Sequence, residues 1–490
     1  MESGQIEVEL TEVVETSSAS SNLPFQQSKH VAAKEALRMQ YRYLDLRNPD
    51  LQRNLITRST ITMKMREFLI SKCFLDIETP TLFRRTPGGA KEFVVPTRLK
   101  GKFYSLVQSP QQFKQLLMVG GLDRYFQVAR CYRDEGGKPD RQPEFTQLDM
   151  EMSFAGREDV VGVVEDLLAS CWPEPVTLPV QRMTYQEAMG TYGVDKPDVR
   201  FANTIQNLGG SFQGCGFDVV EKMAAHEDCF IGGVFFEGTD AKCLKSVEKE
   251  VKTIFSDQIK VAKSNNQSLI ISSLQSLDGQ LSSGLLKKCS RNTSESLKAS
   301  IGPDQLGFLV AGPKDLSVAL LGRLRTLLAP LLLPDLPSRP HAFLWVQDFP
   351  LFLHEDGKLE SAHHPFTAVH PEDRAKLLTE PLSCRSLHYD LVLDGQEVSN
   401  TGGGTRLTLF LQIGGGSVRI HSEEEQRYIL CDVLGEKVGQ HVLFCTFPLQ
   451  ADELEHLLTA LGSGAPPHAG IALGLDRLFA ILVRYSGSYF

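Results

Sequence analysis

The sequence predicts an α+β protein of more than one domain. Three observations carry that expectation. Amphipathic helices and short apolar strands intermix up to about residue 200, Gly, Ser and Lys rise between about residues 201 and 336, and apolar strands then return. The 490 residues allow two to four domains. Hydrophobic residues at 42% and charged residues at 23% are ordinary globular values and speak against overall disorder. A net charge of −9 argues against a protein that coats nucleic acid non-specifically, because such binding needs a basic face. The ten cysteines form no Cys-x-x-Cys and no zinc-site spacing, so they read as thiols in a reducing compartment. No apolar run reaches about 18 residues, so no membrane span is expected. The acidic N-terminus resembles neither a signal nor a transit peptide.

Taken in order, residues 1–16 alternate like a strand at Ile6, Val8 and Leu10, and a Ser-rich linker follows over 16–22. A lone strand is not a domain, so this start reads as the last piece of something else. Residues 34–43 read as a short basic amphipathic helix. Residues 54–72 read as a strong helix with Leu55, Ile61, Met65, Phe68 and Leu69 on one side. It leads into a strand over 74–80, closed by Pro80. The 201–336 stretch reads as an inserted α+β domain, and residues 341–350 resume a buried strand. The last elements are a hairpin over 389–398 and a strand-to-helix unit over 470–482.

The densest chemistry lies in Cys131-Tyr132-Arg133-Asp134-Glu135 and, after a Gly136–Pro139 turn, in residues 141–149 with Arg141, Gln142, Phe145 and Asp149. Arginine forks suit phosphate oxygens and an aromatic face suits a purine, which makes a strand-loop-strand nucleotide clamp. A surface salt-bridge ladder fits the same residues alone. In Gly470-Ile471-Ala472-Leu473-Gly474-Leu475-Asp476-Arg477, a strand meets a glycine and a helix begins, so that Arg477 could reach a polyphosphate. A helix-start charge pair of Asp476 with Arg477 is the alternative. Asp394-Gly395 is a two-residue hairpin turn that sets Val392 opposite Glu397 and makes Asp390 and Glu397 diagonal neighbours. Mg²⁺ would relieve their repulsion, unless they are simply a solvated acidic face. Lys114, three residues after Gln111, and Arg419, after Gly414-Gly415-Gly416, are two cations able to hold a small carboxylate together. His363-His364 is a pair more often structural than catalytic.

Together these segments resemble the aspartyl-tRNA synthetases of bacterial and mitochondrial type, within class II, over about residues 5–484. The carrying motifs are residues 74–80, 132–149 and 470–478, joined by 41–47, 195–198 and 363–366. The resemblance implies a class II antiparallel sheet flanked by helices, with an inserted α+β domain. It divides the chain into 1–40 (remnant of an anticodon-binding domain and linker), 41–200 and 337–490 (catalytic domain, the second part C-terminally truncated) and 201–336 (inserted domain). The implied activity is an aspartate–tRNA ligase using ATP and Mg²⁺ on L-aspartate and tRNA(Asp), as a homodimer of the mitochondrial matrix. Arg133 would hold the α-phosphate and Arg477 the γ-phosphate. Asp134, Glu135, Gln142, Gly474, Leu475 and Asp476 would line the ATP site, with Phe145 stacked on adenine. Asp390 and Glu397 would carry Mg²⁺, Glu397 also touching ATP. Gln111, Lys114, Arg133 and Arg419 would read aspartate, with His363 or His364 closing the pocket. A neutral amide could not compensate two desolvated cations, which would reject asparagine.

The sequence departs from that family in four places. The N-terminal anticodon-binding barrel is missing, so weak and poorly selective aminoacylation is expected while adenylate formation can persist. Gly88 stands where the family has Glu in a mobile loop. Residues 399–413 intervene between Glu397-Val398 and Gly414, with a second Gly402-Gly403-Gly404-Thr405-Arg406 whose Arg falls one residue early, on the opposite strand face. This insertion either loops out or disrupts the pocket. The chain also ends soon after Arg477. Two other readings stay open: an aspartate-activating ligase that uses ammonia, and a non-catalytic fold-mate acting as an accessory dimer.

Overall fold

A computed structural model describes residues 9–14, 16–18, 20, 22–25, 33–84, 91–134, 142–355, 358–395, 412–435 and 450–484. Glu135, Gly136–Pro139, Arg141, Gly88, Glu397, Ile6, Val8 and the 399–411 part of the insertion with Arg406 lie outside the described residues.

Eight strands form the principal sheet, in the order Leu75–Asp76, Arg124–Tyr132, Glu144–Ser153, His468–Gly474, Gln412–Val418, His388–Leu393, Phe343–Gln347 and Gln181–Thr184. The six central strands are mutually antiparallel. The two edge strands add in parallel. Side chains alternate between faces along each strand. One face therefore carries Phe126, Leu148, Met150, Ile471, Leu473, Tyr389 and Leu391, all in the main core. Helices Pro49–Ser71, Arg157–Cys171 and Leu475–Arg484 close over that face with Ile61, Met65, Leu69, Val161, Val164, Leu478 and Phe479. Each large apolar side chain fully buried there contributes roughly 1.5–3 kcal/mol. The other face presents polar groups, and the registers Glu151↔Gly470, Asp149↔Ala472, Ser417↔Gly470 and His388↔Ser417 bring them into line.

The first long helix starts at Pro49, earlier than the expected residue 54. Asn48 caps it by accepting from Asp50 N at 2.9 Å, with Pro at the first helical position. Leu51 and Asn54 continue its buried stripe, whereas Leu55, expected inward, is half exposed. The strand expected over 74–80 is only Leu75–Asp76, although Ile77 N still donates to Phe126 O. The helix expected over 34–43 is broken into Glu35–Gln40 and Arg42–Asp45, tied by an Arg38–Asp45 ion pair of 2.8 Å.

The expected 389–398 hairpin needs correction. Asp394 and Gly395 both have positive φ, at 57° and 51°, as a tight turn requires. Yet the residue opposite Val392 is Gln412, not Glu397. The partner strand begins at Gln412, so the end of the insertion lies in the sheet. Gly414 and Gly416 pair with Leu473 and Ile471, which fixes this register from the far side.

A second, fully antiparallel sheet orders Gln280–Ser283, Ile270–Leu277, Gln305–Pro313, Cys229–Glu237 and Gln206–Asn207. Helix Lys314–Leu332 packs on it through Leu320, Leu321, Leu324 and Leu328. Arg325 of that helix donates to the carbonyls of Asp198 (2.8 Å), Phe201 (3.1 Å) and Asn203, and so ties the helix to the chain leading into this sheet. Among the described residues the cysteines form no disulfide and no helix is long and apolar enough to cross a membrane.

Candidate active site

Four charged side chains meet on the polar face of the principal sheet. Lys114, from helix Gln111–Val119, places Nζ 2.7 Å from Asp149 Oδ1 and 3.1 Å from Glu151 Oε2. Arg419 donates from Nε to Glu151 Oε1 at 3.0 Å, from Nη2 to Oε2 at 3.3 Å and from Nη1 to Ser417 Oγ at 2.7 Å. All four charged groups are buried. Asp149 and Glu151 are two apart on one strand, which puts both carboxylates on one face. Gly470 makes room for Glu151, because a Cβ there would fall 2.1 Å from Glu151 Oε2. Burial pushes the Asp149 carboxyl up, and the charge of Lys114 only partly offsets it. Burial also pushes Glu151 up, but Arg419 and then Lys114 outweigh it and hold that carboxyl at about 2.

Lys114 and Arg419, read from the sequence as a carboxylate-binding pair, are thus brought together. They are not bare cations, however: Asp149 and Glu151 already balance them. Sequence reading counted Asp149 with the nucleotide clamp and missed Glu151. The Asp149-x-Glu151 spacing was the available signal. Gln111 is half-buried on the same helix as Lys114 and donates to Gln115 Oε1 at 3.4 Å. Gln115 in turn meets His468 Nε2 at 3.2 Å.

The two adjacent histidines part company. His364 adjoins the quartet: burial, then the charges of Arg419 and Lys114, push its imidazole down to about 3. His363 instead stacks on His388, with centroids 3.6 Å apart and planes 10° from parallel. His388 Nε2 lies 2.8 Å from Asp390 Oδ1, and Lys196 Nζ lies 3.6 Å from Asp390 Oδ2. Asp390 is fully buried. Among the described residues no group of three His, Cys, Asp or Glu is gathered to hold a metal ion. As they stand, these residues do not fit a Mg²⁺ site: they offer one carboxylate, and it already has an imidazole and an ammonium beside it.

The strand-loop-strand clamp has its two strands in register, Cys131 opposite Phe145 and Tyr132 opposite Glu144. Arg133 N donates to Pro143 O at 2.9 Å, one step beyond. The Arg133 guanidinium lies over the Phe145 ring, 5.1 Å from its centroid, a cation–π contact. Asp134 and Gln142 are exposed at the strand ends. Phe145 shares the polar face with Asp149 and Glu151, roughly 13 Å from Asp149 at the usual strand rise. Gly474 ends the His468–Gly474 strand, and the buried Leu475 opens helix Leu475–Arg484. Asp476 accepts from Arg58 Nη1 at 2.6 Å and from Thr146 N at 2.7 Å, so its carboxylate holds the helix start to the first long helix and the clamp strand. Its ion-pair partner is Arg58 rather than its neighbour Arg477, which is half-buried in the first turn.

A family model described as tRNA synthetases class II (D, K and N) matches residues 34–486. The mitochondrial aspartate–tRNA ligase of Homo sapiens is 45% identical over 500 residues, covering 98% of this chain and 71% of that protein. The mitochondrial enzyme of Dictyostelium discoideum is 38% identical, with 99% and 69% covered. An aspartate–tRNA(Asp/Asn) ligase of Desulfosudis oleivorans is also 38% identical, with 98% and 76% covered. A mostly antiparallel sheet with a polar, ion-paired face, a likeness over nearly its whole length and a matching family model together make this chain a member of the class II aminoacyl-tRNA synthetases, and so an enzyme.

Proposed function

We propose that the chain is an aspartate–tRNA ligase that activates L-aspartate with ATP and passes it to the 3′ end of tRNA(Asp). The relatives above carry that name. The carrying observation is the buried Lys114–Asp149–Glu151–Arg419 quartet on the same sheet face as Phe145. It offers cations at one end and an aromatic-arginine pair at the other.

Aspartate brings one ammonium and two carboxylates. In this reading Asp149 turns from Lys114 to the substrate ammonium, and the freed Lys114 joins Arg419 in holding the side-chain carboxylate. Glu151 keeps Arg419 in place. Asparagine lacks that second charge and leaves the freed Lys114 uncompensated. An α-carboxylate oxygen then attacks the α-phosphorus of ATP. The new bond is the carboxyl–phosphoryl anhydride, and the bond to the leaving pyrophosphate oxygen breaks. Arg133, which must leave the Phe145 ring for this, stabilises charge at the α-phosphate while Phe145 takes adenine. Arg477 faces the departing polyphosphate. Glu135, Asp134, Gln142, Gly474 and Leu475 frame the nucleotide. A ribose hydroxyl of tRNA next attacks the carbonyl, and AMP leaves. Catalysis is positioning and electrostatics, with no side-chain nucleophile. Mg²⁺ enters with ATP as a phosphate counter-ion in this reading, and no step is assigned to it.

The same proposal includes a homodimer. Helix Pro49–Ser71 and the following strand leave Leu55, Ile56, Met63, Ile70 and Leu75 more than half exposed, a face suited to a second copy. It also includes the mitochondrial matrix, supported by the names of relatives. Catalytic segments at 41–200 and 337–490 around an inserted unit at 201–336 complete it. Aspartate-dependent ATP–pyrophosphate exchange is the test. Exchange with aspartate and not asparagine, followed by tRNA charging, is expected; exchange without tRNA charging but with amide formation from ammonia would replace this reading.

A further inference from the structure

We propose that His468 is a positioning residue: through Gln115 it fixes the Gln111 amide so that the carbonyl oxygen of Gln111, and not its NH2 group, is offered to the substrate ammonium. The inference rests on reading Gln111 as an aspartate contact. Three side chains run in line from a backbone carbonyl to the start of helix Gln111–Val119. His468 Nδ1 lies 2.8 Å from Pro466 O, Gln115 Nε2 lies 3.2 Å from His468 Nε2, and Gln111 Nε2 lies 3.4 Å from Gln115 Oε1. Gln115 and His468 are fully buried.

The direction of each hydrogen bond follows from the first. A carbonyl oxygen can only accept, so His468 Nδ1 carries the hydrogen. Burial pushes the His468 imidazole down more than the nearby Glu151 carboxylate raises it, so the ring is neutral and its Nε2 is left as an acceptor. Gln115 must then donate from Nε2, which turns its Oε1 toward Gln111. Gln111 donates to that oxygen, and its own Oε1 is left without a donor among the described residues. The origin of this relay is held in place, because the His468 carbonyl accepts from Arg419 N at 3.0 Å. Gln111 and Lys114 stand three residues apart on one helix face, beside Asp149. An ammonium has three hydrogens to give, so Gln111 Oε1 can take one while the Asp149 carboxylate takes another. An amide without the relay is free to turn end for end and present its NH2 group, which repels an ammonium.

The test uses the full chain and compares aspartate with succinate, which has both carboxylates and no ammonium. Pyrophosphate exchange gives KM for aspartate and for ATP, and competition against aspartate gives the succinate inhibition constant. His468→Phe and Gln115→Met are each expected to raise KM for aspartate by about tenfold, as loss of one hydrogen bond to a charged group allows, with KM for ATP and the succinate constant near the parent's. Adding either change to Gln111→Met should raise KM for aspartate no further than Gln111→Met alone, because all three act through one contact. If His468→Phe does not fold, Gln115→Met and its combination with Gln111→Met carry the test. An unchanged KM for aspartate, succinate binding weakened as much as aspartate binding, or effects that multiply in the double variants would each overturn the proposal and leave His468 and Gln115 as packing. A parent protein without aspartate-dependent exchange would overturn the function reading and this one with it.

Discussion

Glu151 accepts from Arg419 Nε at 3.0 Å while its other oxygen lies 3.1 Å from Lys114 Nζ, so one buried carboxylate bridges two buried cations. Removing one partner of such a group leaves an uncompensated charge in the interior, at a cost of about 3–5 kcal/mol. Glu151→Gln should therefore destabilise the fold by an amount of that order and raise KM for aspartate more than KM for ATP. Denaturant unfolding and exchange kinetics over both substrates check this. A KM for aspartate equal to the parent's would show that Arg419 is held without Glu151.

Gly470 and Gly474 stand on the same strand but predict opposite outcomes. A Cβ on Gly470 would lie 2.1 Å from Glu151 Oε2 and 2.2 Å from Met150 O, and the latter is backbone that cannot turn away. Gly470→Ala should cost about 1–3 kcal/mol through overpacking and disturb Glu151 directly. On Gly474 the nearest atom would be Ile413 O at 3.6 Å, ordinary contact. Gly474→Ala should be close to neutral in stability. Paired thermal melts read the contrast.

Much of this arrangement was legible because it is local. The strand-to-helix unit at Gly474 follows from an apolar run meeting a glycine, and the first long helix follows from its apolar spacing. Lys114 and Arg419 were legible as cations beside glycines and glutamines. What the sequence hid was the pairing of distant segments. The Asp394-Gly395 turn is visible in the chain, but the choice of Gln412 over Glu397 opposite Val392 depends on Gly414 and Gly416 seating against Leu473 and Ile471. The partnership of Glu151 with Arg419 likewise needs the bare backbone of Gly470 between their strands. Lys196 likewise meets Asp390 from a distant part of the sequence.

The quartet also sets an acid response. Glu151, held at about 2 against an ordinary 4.5, stabilises the fold fully above about pH 4.5, and that stability is lost as pH falls through about 2. The shift corresponds to roughly 3 kcal/mol. Asp149 is pushed the other way, so its ionised form opposes folding and its protonation in acid favours it. The two partly cancel in the parent. Asp149→Asn should expose the Glu151 contribution, with a steeper loss of stability between pH 4.5 and 2 than the parent shows. Urea unfolding across that window decides it; parallel curves would mean Glu151 is not held down.

Arg133 over Phe145 is a stack that only a planar guanidinium completes. Arg133→Lys keeps the charge but loses both the fork and the stack. Its kcat for pyrophosphate exchange should fall by about a hundredfold or more, in line with loss of a group that stabilises transition-state charge. Stability should change little, because the residue is half-exposed. Phe145→Leu should instead raise KM for ATP. Exchange kinetics for the two variants separate a phosphate-binding arginine from a merely structural stack.

Asp476 joins three elements through two contacts, Arg58 Nη1 at 2.6 Å and Thr146 N at 2.7 Å. Arg58 also lies over the Phe479 ring at 5.2 Å, so the first long helix grips the last at two points. Asp476→Ala removes the acceptor for a backbone N–H and strands Arg58, at a cost of about 1–3 kcal/mol. Asp476→Asn keeps a side-chain oxygen for Thr146 N while losing the charge, and should recover part of that loss. Because the same helix start carries Arg477, both variants should raise KM for ATP more than KM for aspartate. Arg58→Ala should reproduce the effect without touching the clamp strand. A rise in KM for ATP with Asp476→Ala that Arg58→Ala does not share would assign Asp476 to the nucleotide directly, and equal rises would assign it to the joint between the helices.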